Sequence, residues 1–350
     1  MTFKKADLVY PFLLLLAIGK RSFENLGRMA QMSGRRVAAI LPSADVSFGI
    51  LHYICHSIFS NKKKLFLIID DTLIKKIYAT NMRGTGMFFD TKIGRLINAF
   101  RLVTALVSDG KLSIPMGCSY LFAKEIVNLC SEKFPTKDDI AKTFVREARK
   151  LFTGIKIIVL ADGLYATKNF LRWCVENQVA IECRMHSNRV VTYKGIKITV
   201  RELAMQPEVC LKERQVSRTV SVEWHGLNLE LTIHKRIDKH GNESIVFQAS
   251  TYKAEPREHV KNYDIRWKTE CLNRTEKQHV GLENCFSKNF AVQQNHVAAA
   301  LLAYTLAQLM KKKHRLKNAE AAIRAIKEKF TTSNICDLID LFELFVNFDG

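Results

Sequence analysis

The chain has 350 residues, 47% of them hydrophobic, with Lys and Arg totalling 54 against 34 Asp and Glu, a net charge of +20. That length and apolar content exclude a mainly disordered chain and provide for roughly one to three domains. Folding does not need such an excess of positive charge, which repels itself, so an anionic partner is expected, nucleic acid first.

Residues 1–61 read as a helical N-terminal region. The apolar run Leu8 to Ile18 contains Pro11 and is too short to span a bilayer. Lys20-Arg21 stands where a signal peptide would carry its small-residue cleavage site. A buried helix and no membrane contact are therefore expected. Ser22 is placed to N-cap a helix through Ala30, with Glu24 in its first turn. Met32-Ser33-Gly34 then marks a turn, and Arg35 to Leu41 a short second helix before Pro42. This is the outline of a helix-turn-helix whose Arg35-Arg36 pair would meet phosphates; a plain helical hairpin fits the same pattern. His52 and His56 have i,i+4 spacing but lack the Glu of HExxH, so a structural helix is expected there.

Residues 62–186 change character. Lys62-Lys63-Lys64 leads into Leu65 to Ile69, a short apolar run fitting a buried central strand that ends at Asp70-Asp71-Thr72. Residues 101–119 suggest a hairpin around Asp109-Gly110, and Lys137 to Phe152 an amphipathic helix. Lys156 opens a second buried strand, Ile157 to Ala161, ending at Asp162-Gly163. A helix through Thr167 to Glu176 and a strand from Val179 to Arg184 follow. Residues 187–250 read as a β-rich insertion: Arg218 to Trp224, Leu227 to His234 and Ser244 to Ala249, separated by turns at His225-Gly226 and His240-Gly241-Asn242. Residues 251–310 return to helix, and 311–350 form a helical C-terminal region opening with Lys311-Lys312-Lys313-His314-Arg315.

Nine cysteines stand at 55, 118, 130, 174, 183, 210, 271, 285 and 336. No pair has CxxC spacing and the count is odd, which favours reduced thiols in the cytosol over zinc ribbons or a disulfide framework.

The chemistry-bearing residues are acids. Two apolar strands each end in an aspartate, Asp70 and Asp162, and strand ends are where ligands and metals collect in α/β sheets. Each has a plainer reading as a turn former or N-cap. Further on, Tyr263, Arg266, Glu270, Arg274 and Lys277 fall within about 80° of one helix face at 100° per residue. A solvated face with i,i+4 ion pairs explains the charges but leaves Tyr263 without a use.

The pattern Tyr-x2-Arg-x3-Glu-x6-Lys at Tyr263, Arg266, Glu270 and Lys277 resembles the YREK signature of DDE transposases of the insertion-sequence-4 type. Ile69-Asp70-Asp71-Thr72 and Leu160 to Tyr165 resemble that family's two aspartate segments, and His296 to Leu306 the helix after the signature. The resemblance spans about residues 65–310 and implies an α/β fold with a ribonuclease H-like catalytic core and a β-rich insertion. It implies Asp70, Asp162 and Glu270 as catalytic and metal-binding residues for two Mg²⁺ ions, with Mn²⁺ as a substitute. Asp71 competes with Asp70, since adjacent strand residues point to opposite faces; the family's pattern favours Asp70. Tyr263, Arg266 and Lys277 are the implied DNA contacts. The implied partners are double-stranded transposon ends and target DNA, handled by a homodimer in the synaptic complex, in a cytoplasmic, DNA-associated protein of bacteria. The lysine clusters fit phosphate contacts or solvated helix ends equally. A co-opted copy that binds DNA without cutting is the alternative.

Overall fold

The structure, a computed structural model, describes residues 4, 6–17, 21–79, 82–123, 134–213, 215–238 and 240–330. Ile18, Lys20, Cys130, Cys336 and the part of the expected C-terminal region at 331–350 lie outside the described residues. The described strands are β1 (Lys64–Lys75), β2 (Gly86–Asp90), β3 (Arg95–Ser108), β4 (Ser113–Leu121), β5 (Lys156–Ala161), β6 (Ala180–Arg184), β7 (Val190–Tyr193), β8 (Ile196–Thr199), β9 (Ser217–Trp224), β10 (Leu227–Ile237) and β11 (Glu243–Ser250). The α-helices are α1 (Ala6–Leu16), α2 (Phe23–Met29), α3 (Gly34–Ala39), α4 (Ala44–Phe59), α5 (Lys137–Leu151), α6 (Lys168–Glu176), α7 (Val200–Leu203), α8 (Pro256–Asp264), α9 (Trp267–Thr275), α10 (Phe290–Lys313) and α11 (Ala319–Phe330). The class is mixed α/β, with a helical N-terminal region and a β-rich stretch between α6 and α8, as expected.

Two compact units divide the chain: Met1–Lys62 with Asp71–Pro135 and Thr269–Gly350, and Lys63–Asp70 with Thr136–Lys268. In the second unit the first half of β1 pairs in parallel with β5, from Lys64 opposite Lys156 to Ile69 opposite Ala161. β6 continues the parallel set, Ile158 opposite Ala180. Runs such as Phe66 to Ile69 and Ile158 to Ala161 are apolar throughout because strands covered on both faces have no solvent side to alternate toward. Beyond β6 the direction reverses: β11 pairs β6, β10 pairs β11, β9 pairs β10, β7 pairs β9 and β8 pairs β7, all antiparallel. α5 starts at a capping box in which Thr136 and Asp139 satisfy each other's backbone N–H, and it buries Ile140, Phe144, Val145 and Ala148.

The first unit is built on α10, which is buried from His296 to Met310 and packs against α1, α4, α11 and β4. α2 begins where Ser22 predicts, with Ser22 accepting from Asn25 N–H; Ser33, read from the sequence only as part of a turn, caps α3 by accepting from Arg36 N–H. β3 and β4 form the expected hairpin, with Asp109 Oδ1 accepting from Lys111 and Leu112 N–H. Among the described residues no helix is long and apolar enough to cross a membrane. Cys55, Cys118, Cys174, Cys183, Cys210, Cys271 and Cys285 are free thiols.

Two expected elements differ. β1 does not stop at Asp70 but runs on to Lys75. Asp71 is neutralised by Arg101, its Oδ2 lying 2.6 Å from Arg101 Nε, so the acid does not end the strand. The single helix expected through Tyr263 to Lys277 is broken. Ile265 and Arg266 N–H reach back three residues, to Asn262 and Tyr263, which ends α8. α9 in turn passes into a π turn at Glu276–Val280, closed by Gly281 at φ +90°, where Gly281 N–H bonds Glu276 O. Only glycine suits that turn, because a Cβ there would also run into Arg21. The five residues of the supposed stripe therefore do not share one continuous α-helical face.

Candidate active site

The level of the sheet at which β5 ends beside β1 gathers most of the expected residues in the second unit. Ile69 stands opposite Ala161, so Asp70 and Asp162 follow at the same level of neighbouring parallel strands. Side chains alternate along a strand, and Ile68 opposite Leu160 puts Asp70 and Asp162, two residues on, on the same face. Asp71 takes the opposite face of β1 with Arg101, and so does not share the face of Asp162.

Asp162 keeps the plainer role its position allows as well. Its Oδ1 accepts from Leu164 N–H at 2.9 Å, capping the 3-10 turn Gly163–Tyr165. Only one of its oxygens is engaged in that cap.

α8 and the turn that ends it bring two more of the expected residues to this level of the sheet. The buried Tyr263 donates its hydroxyl to the carbonyl of Ala161 at 3.2 Å, one residue before Asp162. Burial pushes its phenol well above the usual range. Arg266 Nη1 lies 3.1 Å from Asp70 Oδ2, and the guanidinium also sits 5.8 Å from the Tyr263 ring. Asp70, Asp162, Tyr263 and Arg266 thus form one cluster.

Glu270 and Lys277 belong to the first unit. Glu270 lies in the first turn of α9, four residues after Arg266. Lys277 donates to the carbonyl of Leu73 at 2.7 Å and lies 3.7 Å from Glu283 Oε1; burial lowers its pKa below the usual lysine range. Among the described residues no group of three or more His, Cys, Asp or Glu is placed to hold a metal ion. Asp70 and Asp162 supply hard carboxylate oxygens, the donors that Mg²⁺ and Mn²⁺ take.

The lysine clusters are partly engaged: Lys62 pairs with Asp109 at 3.5 Å and Lys64 with Glu258 at 3.4 Å. Lys311 to Lys313 form the last turn of α10, where cations suit the helix dipole.

A family model for a DDE superfamily endonuclease matches residues 14–202, more than half of the chain. The chain belongs to the DDE endonuclease superfamily. A second model, for a transposase DDE domain, matches residues 135–306. No curated protein matches the chain. The first matched span includes Asp70 and Asp162, and the second Asp162, Tyr263, Arg266, Glu270 and Lys277. Membership makes this a transposase-like DDE protein with a ribonuclease H-like fold, in a class that acts on DNA and generally uses divalent metal ions.

Sequence reading missed a buried polar group beside this cluster: Glu182 on β6, with Tyr252, His259 and Asn262 around it. The signal was present. Glu182 is the one acid in the apolar run Val179 to Cys183, and His259 and Asn262 share the helix that carries Tyr263.

Proposed function

We propose that this DDE protein is a transposase of the insertion-sequence-4 type, cutting DNA at the ends of its element and joining them to target DNA. The supporting observation is the cluster itself. Asp162 follows the end of β5, Asp70 lies at the same level and on the same face of the neighbouring parallel strand β1, and Tyr263 and Arg266 bond to these two points.

Asp70, Asp162 and Glu270 are the residues that would hold two Mg²⁺ ions, with Mn²⁺ as a substitute. Bound there, the metal supplies activation of the attacking oxygen, first of water and then of a DNA 3′-hydroxyl, and stabilises the leaving oxygen. No side-chain nucleophile is required, so the chain's own contribution is positioning. Tyr263 fixes the end of β5 through the Ala161 carbonyl, which sets the backbone from which Asp162 projects. Arg266 orients Asp70 and presents a planar fork suited to a phosphate oxygen. Lys277 is the third proposed phosphate contact. The partners are double-stranded element ends and target DNA, engaged by a homodimer in the cytoplasm.

The test is Mg²⁺-dependent cleavage of a duplex carrying the DNA that flanks this coding sequence, with Glu270→Ala alongside. Cutting by the wild type that the variant abolishes while binding survives supports the reading. Wild-type binding without cutting would make this a co-opted DNA-binding protein, and cutting that survives Glu270→Ala would remove Glu270 from the site.

A further inference from the structure

Glu182 is fully buried in the middle of the second unit's sheet, opposite Leu160 of β5 on one side and Ser250 of β11 on the other. A carboxylate placed there is expensive unless its oxygens are hydrogen-bonded. Three donors converge on Oε1: the Tyr252 hydroxyl, His259 Nδ1 at 2.9 Å and Asn262 Nδ2 at 3.4 Å. Asn262 Nδ2 also reaches the Tyr252 oxygen at 3.2 Å, so the four groups form one network. As a carboxylate only accepts, His259 carries a proton on Nδ1. Replacing the whole network by apolar residues of similar volume would cost little or no stability, so burial alone does not call for an acid there. What the acid adds is direction.

That direction acts on α8. His259 and Asn262 are buried on the face that also carries Tyr263. Tyr263 reaches the Ala161 carbonyl, and Arg266, four residues after Asn262, reaches Asp70. The register puts Glu182 opposite Leu160, so it lies on the same sheet face as Asp162. Hydrogen bonds to one oxygen fix the rotation and axial position of α8 on the sheet. Apolar packing would leave both soft.

We infer that Glu182, with Tyr252, His259 and Asn262, is the anchor that sets α8 on the sheet and so places Tyr263 against the end of β5 and Arg266 against Asp70 of β1. Glu182 is a positioning residue for strand cleavage. As a statement about cleavage this rests on the proposed function; as a statement about placement it does not. Misplacing groups by about an ångström lowers a rate by as much as 10²-fold.

The experiment compares full-length wild type, Glu182→Leu and Glu182→Gln by three readouts. These are the thermal midpoint, single-turnover cutting of the flanking-end duplex with Mg²⁺, and a crystal structure of each protein. The expected result is a folded Glu182→Leu protein with a lower midpoint, because the Tyr252, His259 and Asn262 donors lose their buried acceptor, with the Arg266–Asp70 ion pair broken and cutting of bound DNA reduced on the order of 10²-fold. Glu182→Gln, which still accepts at that position, keeps the ion pair and cuts within about threefold of wild type. If Glu182→Leu does not fold, Asn262→Leu, which removes one of the helix's two bonds to Glu182 and leaves that of His259, is read by the same three measurements. A folded Leu variant that retains the Arg266–Asp70 ion pair overturns the inference, as does one in which the pair is broken yet cutting runs at the wild-type rate. If the wild type cuts no DNA, the proposed function fails, while the crystal structures still decide whether the network places Arg266.

Discussion

Arg266 Nη1 lies 3.1 Å from Asp70 Oδ2 across 196 residues of sequence, so the arginine of the proposed signature is bound to the first of the proposed metal-binding acids. Asp70 is 7% exposed, and a cation beside it offsets the cost of gathering carboxylates at one strand edge. Arg266→Ala is expected to lower single-turnover cutting by on the order of 10²-fold, the usual scale for removing one preorganised electrostatic interaction. Arg266→Lys restores only part of it, because an ammonium lacks the planar fork. Wild-type cutting by the alanine variant would confine Arg266 to a role in folding.

Asp70 and Asp71 are neighbours on opposite faces of β1, each paired with an arginine, Arg266 and Arg101 respectively, and the proposed function gives them different roles. Asp71 is bound to Arg101 at 2.6 Å with its side chain 7% exposed. Asp71→Asn is expected to destabilise the fold by about 1–3 kcal/mol, read by urea unfolding, and to leave the cutting rate of folded protein within about threefold. Asp70→Asn is expected to do the reverse, with cutting down on the order of 10²–10³-fold and DNA binding retained. If Asp71→Asn abolishes cutting in a protein that is still folded, the assignment of the ligand moves to Asp71.

The strands that carry the two candidate aspartates were legible because their signals are local. A strand with no polar residue until it meets an acid is visible in Leu65 to Asp70 and in Ile157 to Asp162, and the serine cap is visible at Ser22. What escaped depends on partners far away in sequence. Nothing near Asp71 announces Arg101, whose pairing lets β1 continue to Lys75. Nothing in a 100° helical projection reports that the N–H groups of Ile265 and Arg266 reach back three residues, or that Gly281 turns the last helical residues into a π turn. The projection put Tyr263 and Arg266 on one helix face; the structure brings them within 5.8 Å of each other across the end of α8 rather than along a shared helix.

Lys277 offers a sharper test of the signature's cation. Its ammonium is engaged by the Leu73 carbonyl at 2.7 Å, which explains its position without any DNA. If it also contacts phosphate, Lys277→Met will reduce the slope of log binding constant against log salt by about 1. An unchanged slope, with a stability loss seen by thermal unfolding, would leave Lys277 a purely structural lysine.

The pH dependence of folding has one well-defined source in the first unit. His296 is buried on α10, with Nδ1 2.9 Å from the Tyr10 hydroxyl and Nε2 3.0 Å from the Gly281 carbonyl. A carbonyl only accepts, so Nε2 carries the proton and Nδ1 accepts from Tyr10; the neutral ring is fully satisfied. Burial pulls its pKa from 6.5 down to about 4. Above pH 6.5 neither the folded nor the unfolded chain protonates this group, and its contribution is constant. Between pH 6.5 and about 4 the unfolded chain takes up a proton that the folded one refuses, so stability falls as pH falls, by on the order of 3 kcal/mol over that window. Urea midpoints measured from pH 8 to pH 4 should show this decline in the wild type. In His296→Gln, which can keep a donor toward Gly281 and an acceptor toward Tyr10 without titrating, that part of the decline should vanish, even if the variant is less stable at pH 8. Equal slopes in the two proteins would mean that the acid sensitivity arises elsewhere and that His296 is not held neutral by its burial.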